Sequence, residues 1–330
     1  MRVTDSVPVT LLTGFLGAGK TTLLNHVLRT ATDRRFAIIE NEFGELGIDG
    51  SLVATPVEAL FELSQGCVCC TVRDDLVDVL VQLLNRPNLD HVILETTGLA
   101  EPAPVLQVFQ TPNVRDGFHL NGLITVVDAA QVEQDLAETS TCAEQISYAD
   151  LLVLNKTDQV PSERWPELEA RLHRLNPLAR IVRAQHGQVP VDELLALQRH
   201  DASHLGQTSV PHTHHHHHHD DTIGSVALEA DGDIDIGALD RWLGDLTRRS
   251  DIDVLRMKGV VAVVGQSRRF VFHGVRRSID VRPDRPWGDE VRRNRLVLIG
   301  RGLDAEMLGK GFRACLRDAF APSVSGGLRG

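Results

Sequence analysis

Gly14-Phe15-Leu16-Gly17-Ala18-Gly19-Lys20-Thr21 follows the apolar run Val7–Thr13 and opens a stretch with helical spacing. The octapeptide has the form G-x-x-x-x-G-K-[ST], and a strand before and a helix after are what a phosphate-binding loop requires. Gly17 and Gly19 let backbone N–H groups turn inward around a β-phosphate, and the helix N-terminus adds partial positive charge. Gly14 and Ala18 belong to the same cradle. Lys20 is expected to reach the β- and γ-phosphates, and the Thr21 hydroxyl to take a Mg²⁺ position. Thr22 is placed to bond the α-phosphate.

Working outward from this loop, short apolar runs alternate with amphipathic stretches over residues 1–200. Strands are predicted at Val7–Thr13, Phe36–Glu40, His91–Glu95, Gly122–Val127, Leu151–Asn155 and Arg180–Arg183. Helices are predicted at Lys20–Arg29, Arg73–Asn85, Pro102–Gln110, Thr141–Tyr148, Pro166–Asn176 and Val191–Gln198. Such alternation builds an α/β fold, a phosphate-loop domain with a mostly parallel sheet covered on both faces. Its ligand belongs beyond the carboxyl ends of the strands.

Residues 201–222 are rich in Ser, Thr, Gln and His, carry no apolar period and read as a flexible linker. Residues 223–330 form a smaller pattern. A strand at Ser225–Glu229 and a helix at Ile236–Arg248 precede strands at Val254–Val264, Arg269–Val275, Ser278–Val281 and Arg295–Ile299. A helix over Asp304–Phe320 closes the chain. This order predicts an α+β domain with helices on one face of an antiparallel sheet.

Asn155-Lys156-Thr157-Asp158 follows the apolar run Leu151–Leu154 and selects guanine. The Asp158 carboxylate can accept both the ring N–H and the exocyclic amine of guanine, a pair adenine does not offer. The Lys156 stem can cover one face of the base. Glu95-Thr96-Thr97-Gly98 ends another apolar run. There the Glu95 carboxylate would lie near Mg²⁺, and the Gly98 N–H could meet the γ-phosphate. Lys20, Thr21, Glu95 and the backbone N–H groups of Gly17–Lys20 are the expected stabilisers of charge on the transferred phosphoryl group. No residue is assigned to activate the attacking water, Glu42 being a speculative choice.

A second chemistry is written in Cys67-Val68-Cys69-Cys70. In an extended segment Cys67 and Cys69 point the same way, and thiolates suit Zn²⁺, Cu⁺ and other soft or borderline metals. Three cysteines do not close a four-ligand structural site, so further ligands must come from elsewhere. A structural or redox role is the alternative. Acidic candidates lie at Glu40 and Glu45, where a segment sensing the γ-phosphate would begin. Ordering of that segment by GTP·Mg²⁺ would change the geometry at a second ion. His212 with His214, His215, His216, His217, His218 and His219 puts seven imidazoles into eight positions. Flexible imidazoles bind Zn²⁺, Ni²⁺, Co²⁺ or Cu²⁺ weakly and reversibly, which suits gathering of metal.

Charge and composition narrow the classes. A formal charge of −11 argues against a nucleic-acid partner. Of the basic residues only Lys20, Lys156, Lys258 and Lys310 are lysines, and two of them sit in the nucleotide motifs. No apolar run approaches the ~20 residues of a membrane span, and the N-terminus reads as a strand rather than a leader, so a cytoplasmic location is expected. Adjacent thiols in such a chain point to metal or redox chemistry, whereas isolated Cys142 and Cys315 read as small core residues.

Together GFLGAGKTT, IENEFGE, GCVCC, ETTG and NKTD, in this order, resemble the CobW-type GTPase metallochaperones, in particular the YjiA-like and zinc-handling branch. The segments Leu255-Arg256-Met257-Lys258-Gly259 and Arg285-Pro286-Trp287-Gly288-Asp289 look like that family's C-terminal domain, so the resemblance covers nearly the whole chain. It implies a slow GTPase that binds GTP, Mg²⁺ and Zn²⁺, with Co²⁺ or Ni²⁺ as alternatives, and delivers metal to a client apo-metalloprotein. Cys67, Cys69 and Cys70 match the family's metal motif, and Glu40 and Glu45 match acidic ligands of its first switch segment. A further histidine ligand of the YjiA-like branch has no counterpart in Val108-Phe109-Gln110-Thr111-Pro112. Cobalt delivery for cobalamin synthesis and activation of nitrile hydratase are alternatives within the family. A metal store with structural nucleotide is the alternative outside it, and a homodimer stays open.

Overall fold

β1 (Val7–Gly14) is the axis of the first sheet, flanked on one side by β4 (His91–Thr96) and on the other by β5 (Phe118–Asp128). The computed structural model describes residues 6–41, 57–62, 71–86, 89–197 and 223–317. These divide into two units, one within Met1–Ser209 and one within Val210–Gly330. Among the described residues no helix is long and apolar enough to cross a membrane.

The first unit holds a seven-stranded sheet of order β3-β2-β4-β1-β5-β6-β7, completed by β2 (Phe36–Asn41), β3 (Val57–Glu62), β6 (Leu151–Asn155) and β7 (Arg180–Arg183). Every described pairing in it is parallel. The apolar runs make this necessary, because β4 and β6 are buried along their whole length and need cover on both faces. From β1 the chain goes outward to β2 and β3, returns to insert β4 beside β1, and then builds β5 to β7 on the other side. β1 is therefore the point where strand order reverses, and a ligand crevice opens beyond its carboxyl end.

The connecting helices are α1 (Lys20–Thr30), α2 (Thr71–Leu83), α3 (Pro102–Val108), α4 (Pro112–Arg115), α5 (Val132–Glu138), α6 (Ser140–Tyr148), α7 (Trp165–Leu175) and α8 (Val191–Leu195). α1 buries Leu23, Leu24, Val27 and Leu28. That spacing makes one apolar stripe, which joins Leu12, Ile93, Ile124 and Val153 of the sheet in a single core. Cys142 and Cys315 are buried as expected.

Several elements differ from the sequence expectation. β3 carries Val57-Glu58-Ala59-Leu60-Phe61-Glu62, whose Ala, Leu and Glu favour helix, and becomes a strand through its pairing with β2. β5 starts at Phe118, ahead of Gly122, because Phe118 to Leu120 extend the ladder with Val7 to Val9 before a register shift. α8 stops at Leu195.

The second unit is an antiparallel five-stranded sheet of order β11-β10-β9-β12-β8. Its elements are β8 (Gly224–Asp231), α9 (Ile236–Leu246), β9 (Asp253–Ala262), β10 (Arg268–Val275), β11 (Ser278–Pro286), β12 (Arg293–Arg301) and α10 (Ala305–Arg313). Asp235 and Asp304 cap the two helices by accepting from the Ala238 and Met307 N–H groups. Leu239, Leu243, Leu308 and Phe312 of the helices share one core with Met257, Val261, Phe272 and Leu298 of the strands. The closing helix is shorter than the expected Asp304–Phe320. It ends at Arg313 because Cys315 O and Arg317 N–H pair with Asp235 N–H and Asp233 O, and Leu316 bridges Ile234.

Candidate functional site

The loop after β1 has the backbone that phosphate binding demands. Gly14 lies at φ +142°, and a Cβ there would sit 2.3 Å from the Val126 carbonyl oxygen of β5. Gly17 and Gly19 take φ of +72° and +102°, where L side chains are strained. Gly19 is the N-cap of α1 and supplies no side-chain cap. No side chain of the N-cap residue therefore covers the first turn of α1, at Lys20, Thr21 and Thr22, where an anion would meet the helix N-terminus. Lys20 is buried at the start of the helix, Ala18 is buried, and Thr22 is exposed.

Asn155 ties this loop to the base-side motif. Its Nδ2 donates to Ala18 O at 2.9 Å, and its Oδ1 accepts from Gly187 N–H at 3.0 Å. A Cβ on Gly19 would fall 2.5 Å from the same Nδ2, so only glycine lets the loop pass. Gly187 in turn leans on α1, where an added Cβ would meet Leu23 N at 2.9 Å. Lys156 stands at φ +58°, with its Nζ 2.7 Å from Asp128 Oδ2 at the end of β5. Thr157 Oγ1 donates to Ala184 O at 3.0 Å, and Asp158 is exposed beyond that tie.

On the other side of β1, Thr21 Oγ1 donates to Glu95 Oε1 at 3.0 Å. Glu95 is 2% exposed and Glu40 only 8%. Glu40 pairs in register with Glu95 across β2 and β4, and with Glu62 across β2 and β3. Thr96 Oγ1 donates to Thr13 Oγ1 at 2.9 Å, locking the ends of β4 and β1 together. Gly98 sits against the phosphate loop, since a Cβ there would be 2.8 Å from Leu16 N. Gln145 of α6 donates through Nε2 to Gly98 O at 3.0 Å and Ala100 O at 3.1 Å.

Gly14, Gly17, Ala18, Gly19, Lys20, Thr21, Glu95, Gly98 and Asn155 are therefore gathered around the carboxyl end of β1. Thr22 lies on the first turn of the same helix, and Lys156 and Asp158 on the turn that Asn155 begins. A hard-oxygen pair, Thr21 and Glu95, beside a lysine and a glycine cradle fits a nucleotide triphosphate with Mg²⁺. Sequence reasoning missed Asp128, Gln145 and the Ala184–Gly187 loop. Positive φ at both His186 (52°) and Gly187 (68°) marks that loop, and Gly187 was the only signal available in advance.

Cys67, Cys69, Cys70, Glu42, Glu45, His212 and His214 to His219 lie outside the described residues, as does the linker 201–222. Among the described residues no group of three or more His, Cys, Asp or Glu side chains is arranged to hold a metal ion. Cys142 offers no thiolate, because burial, with Asp135 nearby, pushes its thiol up to about 12.

The glycine cradle, the Asn155 tie and the Thr21–Glu95 pair define a phosphate-loop nucleotide-binding protein whose base motif is of the guanine type. Residues 8–183 match the nucleotide-binding domain of the CobW/HypB/UreG family, and residues 223–316 the C-terminal domain of the cobalamin synthesis protein cobW. The chain belongs to the CobW family. It is 37% identical to the zinc chaperone CobW of Pseudomonas aeruginosa, over 96% of this chain and 93% of that one. It is 34% identical to the zinc chaperone YjiA of Escherichia coli, over 93% and 98% of the two chains. The crystal structure of the Zn(II)-bound YjiA GTPase from E. coli superposes with a TM-score of 0.74 at 31% identity, covering 95% of this chain and all of that one.

Proposed function

We propose that this protein is a GTP-hydrolysing metallochaperone that binds zinc and couples the nucleotide cycle to delivery of the ion to client apo-proteins. The observation that carries the nucleotide half is the Asn155 tie. One side chain of the guanine motif bonds both the phosphate loop and the Gly187 loop, so base and phosphate sites form one unit. Lys20 then contacts the β- and γ-phosphates, the N–H groups of Gly17 to Thr22 line the phosphates, and the Gly98 N–H faces the γ-phosphate. Thr21 and Glu95 would hold Mg²⁺, which would neutralise charge on the phosphates. Asp158 reads the guanine edge, and Asp128 steadies Lys156 over the base.

The metal half rests on the zinc chaperone relatives and on connectivity. β2 and β3 end side by side, and the chain continues from them into Glu42 and Glu45 in one case and Cys67, Cys69 and Cys70 in the other. Cys67 follows Glu62 by five residues, a reach of at most ~18 Å. Cys67, Cys69 and Cys70 with Glu40 and Glu45 are the proposed zinc set, and the His212–His219 tract gathers metal for it. Residues 1–200 and 223–330 are the two proposed domains, working in the cytoplasm. The partners are a client apo-metalloprotein and, in some states, a second copy.

Metal competition titration with Zn²⁺, Co²⁺ and Ni²⁺, with and without GTP·Mg²⁺, tests the whole reading. Tight zinc binding that changes with nucleotide and is lost in Cys67→Ser or Cys69→Ser is the expected result. Affinities indifferent to nucleotide would refute coupling, and preference for cobalt would refute the choice of metal.

A further inference from the structure

Gln145 sits on α6, 47 residues from Gly98 in sequence, and is 1% exposed. Its side-chain amide donates both hydrogens to the turn after Glu95-Thr96-Thr97, one to Gly98 O and one to Ala100 O. The two acceptors bracket Leu99, whose side chain is 59% exposed. Ala100 N–H closes the same turn on Thr97 O at 3.1 Å. The backbone of Gln145 is itself fixed, since its carbonyl accepts from Thr125 Oγ1 of β5 at 2.8 Å. The other side of the turn is fixed by the close approach of Gly98 to Leu16 of the phosphate loop.

Only a group with two donors and no charge fits this place. Both partners are carbonyl oxygens, so a glutamate would set oxygen against oxygen, and a lysine would bury a charge. Gln145 Oε1 is buried and has no hydrogen-bond partner among the described residues. The amide therefore serves as a donor pair, and its acceptor is left uncompensated for that purpose. Clamping Gly98 O and Ala100 O fixes the 98–99 and 100–101 peptide planes. The Gly98 N–H lies in the Thr97–Gly98 plane, whose Thr97 O accepts from Ala100 N–H, so the clamp acts on it through Ala100.

We propose that Gln145 is a positioning residue that holds the Gly98 N–H in line for the γ-phosphate, so that it discriminates triphosphate from diphosphate. This inference rests on the assignment of Gly98 to the γ-phosphate made above. GDP has nothing at that position and is indifferent to the clamp. A γ-phosphate accepts from the Gly98 N–H only while the clamp holds the turn, and the transition state, with more charge on the same oxygens, depends on it further.

The experiment compares the full chain with Gln145→Met, which keeps length and apolar volume but removes both donors. Affinities for GDP and for a non-hydrolysable GTP analogue are measured with Mg²⁺, alongside steady-state GTP turnover and thermal melting. GDP affinity should stay unchanged, while affinity for the analogue and kcat each fall about tenfold, the scale of losing two neutral hydrogen bonds. Gln145→Asn, whose amide is one methylene too short to reach both carbonyls, should show the same selective loss and serves if the methionine variant does not fold. Equal losses of GDP and analogue affinity would reduce Gln145 to a structural role, and no loss of either would overturn the proposal. Failure of the parent protein to bind guanine nucleotide would instead refute the functional reading itself.

Discussion

Removing the Asn155 side chain should disable the nucleotide site by releasing the two loops it ties together. Asn155→Ala leaves Ala18 O and Gly187 N–H without the partners that hold them at 2.9 and 3.0 Å. Each buried polar group left unsatisfied costs about 1–3 kcal/mol, so the pair should cost about 2–6 kcal/mol unless water enters. Asn155→Asp separates the two. It retains an acceptor for Gly187 N–H, but faces Ala18 O with an oxygen in place of the donor, so at least the Ala18 part of the loss should remain. Because Asn155 lies beneath the turn around the β-phosphate, GDP and GTP should suffer alike, by about 10- to 100-fold in affinity. Fluorescent GDP and GTP-analogue titrations, with urea unfolding of the apo-proteins, give both quantities. Unchanged GDP affinity in a folded Asn155→Asp variant would refute the idea that this side chain unites the two half-sites. So would a loss confined to GTP.

Three further outcomes follow from the same geometry. Burial, aided by Arg34 and His119, lowers the pKa of His91 from 6.5 to about 3. The fold therefore favours neutral imidazole, and its stability is full above pH 6.5 and declines as pH falls from there toward 3. The loss should be about 2 kcal/mol at pH 5, so urea unfolding at pH 7 and pH 5 should differ by that much more in the parent than in His91→Gln. Asp158→Asn replaces an acceptor facing the guanine edge with an amide that donates. GTP affinity should drop about 100-fold while xanthosine triphosphate, with an acceptor at the same edge, gains, and competition titration reads both. Lys20→Ala should abolish GTP turnover while leaving zinc binding to the nucleotide-free protein intact, as phosphate-release and metal titrations on one preparation would show.

The phosphate loop and most of the parallel sheet were legible because their signals are local. A glycine pattern between a strand and a helix carries its own geometry, and runs such as Leu151–Asn155 need no partner to be recognised. β3 was not legible, since Ala59, Leu60 and the two glutamates beside them favour a helix and only the ladder with β2 overrides that. Gln145 and Asp128 were missed for a related reason. Each acquires its role from contacts 47 or 28 residues away, to Gly98 and to Lys156. The end of the last helix was misplaced because its stop is also tertiary, set where Asp233 and Asp235 draw residues 315–317 into backbone pairing. Short-range chemistry thus reveals which atoms a site needs, and long-range packing decides what holds them.

The proposed physical basis of the coupling is the pair of buried glutamates, Glu40 and Glu95, at the carboxyl edge of the sheet. Glu62, Glu40 and Glu95 occupy matching positions on β3, β2 and β4. Neighbouring strands lie about 4.8 Å apart. Glu95 shares a hydrogen bond with Thr21, and Glu40 beside it is also buried. If both were ionised and about 5 Å apart, two such carboxylates would repel by about 3 kcal/mol at an effective dielectric of about 20. A divalent cation held by Thr21 and Glu95 would offset that repulsion, and so would change how readily Glu40 serves as a ligand to a second ion. Glu40 is also the penultimate residue of β2, directly before the segment that carries Glu42 and Glu45. Occupancy of the nucleotide's metal position and affinity at the proposed zinc set would then be linked through the neighbouring Glu40 and Glu95. Linkage of this kind is reciprocal, so zinc should alter affinity for GTP·Mg²⁺ by the same factor that the nucleotide alters affinity for zinc.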